Sequence, residues 1–146
     1  MPTAASNLRA SISKSPKLPS TDLERARVIA DAFRSAGIGI SLDDFGTGYS
    51  SLMHLHSMPL TKIKIDRSFV TNIEDDPASV KIVRSLIRMA DDMGLDCIVE
   101  GIETKAEMAT ICDLGGRFIQ GYHISRPLTA ADARAFAEGA RASLAS

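Results

Sequence analysis

The chain contains no tryptophan, two tyrosines, two cysteines and a formal charge of only −1 over 146 residues. Each scarcity excludes something. Cys97 in an apolar run and Cys112 in a helical pattern make no disulfide framework and suit a reducing cytoplasm. The near-neutral charge, with no basic stripe interleaved with aromatics, gives no electrostatic footprint for a nucleic-acid polymer. No apolar run approaches the roughly 20 residues that a membrane span requires, and no signal peptide is recognisable. His54, His56 and His123 lack metal-ligand spacing with the cysteines or with each other, and His54 and His56 cannot share a helix face. Ser50 and Ser51 have no partnering histidine nearby, so they read as helix starters rather than nucleophiles.

What is present is enough apolar material for one domain: 45% of the residues are hydrophobic. Residues 1–19 are rich in Ser, Pro, Ala and Lys and are expected to form a flexible tail. From there the pattern alternates helix and strand. A helix is expected from Thr21, with Glu24 at capping-box spacing, to Gly37. Strands are expected over about 38–44, 61–66, 95–101 and 117–121. A short helix fits 49–57. Asp76-Pro77 opens the longest helix, with Asp76 as cap, Pro77 at the first helical position and Val80, Val83, Ile87 and Ala90 on one stripe. Gly94 ends it. Thr104 and Glu107 start a helix that stops at Gly115-Gly116, and Thr129 with Asp132 starts the last one. Such alternation calls for parallel strands joined by helical crossovers.

The ends of the strands hold the chemistry. Ile40-Ser41-Leu42-Asp43-Asp44-Phe45-Gly46-Thr47-Gly48 is an apolar run closed by two carboxylates and a glycine-rich turn. Ile63-Lys64-Ile65-Asp66 alternates charged and apolar residues, so Lys64 and Asp66 share one face. Cys97-Ile98-Val99-Glu100-Gly101-Ile102-Glu103 and Phe118-Ile119-Gln120-Gly121 again end in polar groups. Parallel α/β folds place their sites at this rim, and carboxylate oxygens suit Mg²⁺ or Mn²⁺ better than zinc. Asp43 and Asp44 alone would read equally well as turn or helix caps. Repetition at successive strand ends favours one shared site.

Residues 43–52, the run Lys64-Ile65-Asp66-Arg67-Ser68-Phe69-Val70, Glu100-Gly101-Ile102-Glu103-Thr104, and Gln120-Gly121-Tyr122 with Ser125-Arg126-Pro127 resemble the EAL family. That family consists of (β/α)-barrel phosphodiesterases that linearise cyclic di-GMP with two divalent metals. The resemblance covers about residues 20–146 and corresponds to the second half of the family domain. No Glu-Ala-Leu signature occurs, nor do the early-strand Asn and Glu ligands. Length agrees: a complete eight-stranded barrel takes about 250 residues. The implied fold class is α/β, a parallel-stranded half barrel of about four β/α units, completed by self-association.

The resemblance also implies roles. Asp43, Asp44 and Glu100 correspond to metal ligands. Lys64, Glu100 and Glu103 correspond to catalytic positions: Lys64 positions water, Glu100 doubles as the water-activating carboxylate, and Glu103 lies behind it near Lys64. Gln120, Arg126 and Asp66 correspond to substrate-side groups, with Asp66 as partner of Lys64. Plainer readings stand beside these. Lys64 and Asp66 also fit a structural ion pair in a barrel interior. Glu103 also fits the positive end of a helix, and Arg126 also fits a tie for the loop before the last helix. The chain is thus expected to be a truncated phosphodiesterase with half of a two-metal site, inactive alone. The alternatives are an enzyme completed between chains as a homo-oligomer, and a non-catalytic module that binds cyclic di-GMP or a protein.

Overall fold

A computed structural model describes residues 10–12, 20–47 and 55–144. Five parallel strands form one sheet in the order of the chain: β1 (Ala10–Ile12), β2 (Ile40–Phe45), β3 (Lys62–Ile65), β4 (Asp96–Glu100) and β5 (Phe118–Gln120). The helices are α1 (Ser20–Ser35), α2 (Pro77–Asp92), α3 (Lys105–Asp113) and α4 (Ala130–Leu144), with 3₁₀ turns at Arg67–Phe69 and Ile73–Asp75. The α/β half barrel expected from sequence is present, with one addition. Inside residues 1–19, read as a tail, Ala10–Ile12 pairs with Ile40–Leu42. Three residues carry too little pattern to announce a strand. Of the short helix expected over 49–57, residues 55–57 are helical and the remainder lies outside the described residues.

Local chemistry explains most boundaries. Asp76 Oδ1 accepts the N–H of Ala78 at 3.0 Å, and Pro77 takes the first position of α2, where no N–H is needed. Thr104 and Glu107 close a reciprocal capping box at the start of α3. Thr129 Oγ1 donates to Asp132 Oδ2 at 2.7 Å just ahead of α4. The first helix starts at Ser20, one residue before the expected Thr21.

The two faces of the sheet differ. Ile40, Leu42 and Phe45 of β2, Ile63 and Ile65 of β3, and Cys97 and Val99 of β4 are buried in one core, which Val83, Ile87 and Ala90 of α2 join. Burying side chains of this size stabilises by roughly 1.5–3 kcal/mol each. The opposite face carries Lys62, Lys64, Asp96, Ile98, Glu100, Phe118 and Gln120, all half-exposed or exposed. Ser41, on the same face of β2, is buried at 8% exposure. Residues 130–140 of α4 are exposed throughout, and among the described residues no helix is long and apolar enough to cross a membrane.

One carboxylate ties the rim together. Glu107 is 3% exposed. Its Oε2 accepts the N–H groups of Glu103 at 2.8 Å and Thr104 at 3.0 Å, and its Oε1 accepts that of Asn72 at 3.1 Å, from the segment after β3. Asn72 holds a left-handed conformation with φ 54°. Burial alone would push the Glu107 carboxyl up, but the three backbone donors outweigh it and hold it below its ordinary value. Glu107 therefore binds fewer protons in the folded state. It contributes stability above about pH 4.5 that is lost as pH falls through the lower folded value. Glu107→Gln should cost about 1–3 kcal/mol in urea unfolding at pH 7. It should also flatten the decline in stability below pH 4.5. An unchanged acid limb would show that Glu107 does not carry it.

Candidate functional site at the strand ends

Asp43 and Asp44 owe their placement to a fault in the ladder. Leu42 pairs with Ile63 and Phe45 with Ile65, so β2 spends three steps where β3 spends two. This one-residue bulge keeps Leu42 and Phe45 both in the core, at 5% and 1% exposure. It leaves Asp43 and Asp44 half-buried between them at the rim. Asp44 takes the strain, with φ 53°. A short polar side chain tolerates that conformation where a branched one would not. Its carbonyl is bonded by the N–H and the hydroxyl of Thr47.

Lys64 lies between two strands' worth of carboxylate. Its Nζ is 2.5 Å from Glu100 Oε1 on β4 and 3.4 Å from Asp43 Oδ1 on β2. All three side chains are about one-fifth exposed, at 18% for Lys64 and 22% for each partner. Burial alone would lower the lysine, but the hydrogen bond and charge of Glu100, with Asp43 adding to both, outweigh it and raise the ammonium above its ordinary 10.5. Lys64 is therefore charged at neutral pH. One step further back on the same face, Lys62 Nζ faces Asp96 Oδ2 at 3.6 Å.

An open cleft of about 270 Å³ adjoins this triad and shares Glu100 with it. Asp66, Arg67, Glu103, Gln120 and Tyr122 also line it. Gln120 is exposed and stands opposite Glu100 in the ladder. The guanidinium of Arg126 lies 4.8 Å from the centroid of the Tyr122 ring, a cation–π arrangement within the usual range. Gly121 lies so close to the backbone of Ile102 that an added Cβ would collide with it, which brings β5 and the segment after β4 together here. Gly101 adopts φ +80° with the Arg67 side chain directly against it. No residue with a Cβ fits there without moving Arg67.

The expected site residues are thus all at one end of the sheet, with two changes of partner. Asp66 was expected to neutralise Lys64; the lysine is held by Asp43 and Glu100, while Asp66 Oδ1 accepts the N–H of Ser68 at 2.9 Å and caps the turn after β3. Glu103 was expected beside Lys64; it pairs with Arg67, Nη1 to Oε1 at 3.6 Å. The reason is geometric. Strand alternation stops at Ile65 and Glu100, so side chains beyond those residues no longer follow it. Arg67 and Tyr122 were not singled out, although both lie in the quoted motifs; outside the strands, nothing in the sequence aims them at the cleft.

Asp43, Asp44 and Glu100 present hard carboxylate oxygens and fit a divalent cation of the Mg²⁺ or Mn²⁺ kind in donor type. Among the described residues, no three Asp, Glu, His or Cys side chains converge closely enough to hold one. The carboxylates supply one side of a ligand set, and at present Asp43 and Glu100 close on Lys64.

Known proteins share this fold and much of this sequence. The EAL domain family model matches residues 3–127. The solved EAL domain of Mycobacterium smegmatis DcpA superposes with a TM-score of 0.76 at 36% identity, covering 81% of this chain and 53% of that one. Klebsiella pneumoniae BlrP1, solved as a manganese and cyclic di-GMP complex, gives a TM-score of 0.67 at 36% identity over 71% of this chain and 26% of its own. The bifunctional diguanylate cyclase/cyclic di-GMP phosphodiesterase MucR of Pseudomonas aeruginosa is 37% identical over 75% of this chain. The matched part of this chain spans 16% of MucR and about half, 53%, of the DcpA EAL domain. With the family model matching most of its length and relatives 36–37% identical over about three quarters of it or more, the chain belongs to the EAL-domain family.

Proposed function

We propose that this chain carries one side of a cation-dependent phosphodiester hydrolysis site for cyclic di-GMP and acts in the cytoplasm. The observation that supports the reading most is the convergence of Asp43, Lys64 and Glu100 from three neighbouring strands, in a member of a family whose solved relatives include a manganese and cyclic di-GMP complex. Asp43, Asp44 and Glu100 would hold Mg²⁺ or Mn²⁺. A divalent cation bound to such oxygens polarises a phosphate and lowers the pKa of an attacking water.

The chain's own residues do the rest. Lys64 offsets the carboxylate charge at the rim and offers ammonium hydrogens to an oxygen nearby. Glu100, reaching both the triad and the cleft, is placed to take a proton from water. Glu103 fixes Arg67, which puts a guanidinium at the cleft where phosphate oxygens would lie. Gln120 and the Arg126–Tyr122 stack give the far side a hydrogen-bonding amide, a cation and an aromatic face suited to a nucleobase. Asp66 orients the turn between β3 and the cleft.

These residues supply carboxylates on one side only, whereas two-cation chemistry needs ligands around both ions. We therefore infer that the chain does not turn over cyclic di-GMP by itself. A second reading, an enzyme completed between chains, is favoured by the half-exposed and exposed side chains that β3, β4 and β5 carry on one face among the described residues. Parallel sheets are normally buried on both sides, and open strand edges carry unpaired N–H and C=O groups.

Purified chain at micromolar concentration with Mn²⁺ should show no cyclic di-GMP turnover above buffer, read by chromatography of the linear product. Turnover abolished in Asp43→Ala would count against inactivity and for a site completed between chains. Light scattering should report a dimer or larger species. A compact monomer with a single cooperative melting transition would remove self-association as the cover for the open face.

A further inference from the structure

Asp43 and Glu100 belong to strands on either side of β3. Neighbouring strands lie about 4.8 Å apart, so the two carboxylates start from backbones separated by roughly twice that distance. Both face the same way, and like charges so placed repel unless a cation sits between them. Here that cation is built into the chain. Lys64 comes from the middle strand and reaches Glu100 Oε1 at 2.5 Å and Asp43 Oδ1 at 3.4 Å. The pairing is not a general habit of the face. Lys62 and Asp96, on the same two central strands, sit 3.6 Å apart with side chains 36% and 48% exposed, the loose geometry of a surface pair.

We propose that the Lys64 ammonium is a stand-in for a divalent cation: it occupies the seat between Asp43 and Glu100, and a cation entering that seat must displace it. The inference rests on the reading of Asp43, Asp44 and Glu100 as cation ligands. An ammonium brings one positive charge and three hydrogens. A divalent ion brings twice the charge and accepts six or more oxygens. The exchange is therefore favourable electrostatically and opposed by the cost of moving Lys64 away from its partners. Lys64 then has two effects that a merely structural pair would lack. It holds the strand ends together when no cation is bound, and it weakens cation binding by competing for the same oxygens.

The test uses the 146-residue chain with Mn²⁺ or Mg²⁺ as the only added ligand. Lys64→Met keeps the length of the side chain and removes the charge; Lys64→Arg keeps the charge. Calorimetry should give a Mn²⁺ Kd at least about tenfold tighter for Lys64→Met than for the wild type, equivalent to roughly 1.4 kcal/mol. Mn²⁺ should raise the melting temperature of Lys64→Met by more than that of the wild type, and Lys64→Arg should follow the wild type. In the unaltered protein, the NMR signals of the Lys64 side chain should move in step with Mg²⁺ saturation. Equal or weaker binding by Lys64→Met overturns the proposal. So do Lys64 signals that stay still while those of Asp43 and Asp44 move; the cation-ligand reading would survive both results. Absence of binding by wild type and Lys64→Met alike overturns both. If Lys64→Met is unfolded without metal, refolding on addition of Mn²⁺ supports the proposal. If it stays unfolded, the wild-type Mg²⁺ titration decides by the same two outcomes.

Discussion

Side-chain alternation along β3 is the constraint on which the rest of the molecule depends. Ile63 and Ile65 are fully buried under the helices, while Lys62 and Lys64 stand on the opposite face. A slip of one residue would put two ammonium groups in the core and two isoleucines outside. Burying an uncompensated ammonium costs several kcal/mol after relaxation, so the register is held firmly. Because β3 is flanked on both sides by parallel partners, its register also sets the depth at which Asp43 and Glu100 meet Lys64.

The bulge in β2 extends that logic. Without an extra residue, period-two alternation would send one member of the Leu42 and Phe45 pair to the open face, and one of the two aspartates into the core. The bulge keeps both apolar residues inside and releases both carboxylates to the rim, with the strain confined to Asp44. Strain of this kind persists only where surrounding structure over-determines it. Here the over-determination comes from Phe45, 1% exposed, and from the two Thr47 bonds to the Asp44 carbonyl.

Rigidity on the other side comes from backbone contact rather than from a large core. Gly121 against Ile102 and Gly101 against Arg67 let the segments after β3, β4 and β5 pack without an intervening Cβ. Glu107 then binds the segment after β4 to the one after β3 through three N–H groups. The cleft is framed by these contacts. Its guanidinium and carboxylate, Arg67 and Glu103, hold each other at 3.6 Å with both side chains substantially exposed, so their pairing orients more than it stabilises.

The sequence by itself determined the parallel α/β plan, the helix caps at Asp76 and Thr104, the stripe of Val83, Ile87 and Ala90, and the family. These are local or periodic signals, carried by neighbours within a few residues. Asp43, Glu100 and Lys64 were legible as members of one site for the same reason: the first two close apolar runs, and Lys64 alternates with Ile63 and Ile65. Which groups touch was decided only in three dimensions. The partners of Lys64 lie 21 and 36 residues away along the chain (43 to 64, 64 to 100), on strands whose adjacency no periodicity specifies. Glu107 reads as half of a capping box, yet its third bond reaches Asn72, 35 residues back. Arg67 displaced Lys64 as the partner of Glu103 because both follow the last residue of a strand, where alternation no longer aims side chains. The strand Ala10–Ile12 needed β2 beside it, since three residues bury too little to declare themselves alone.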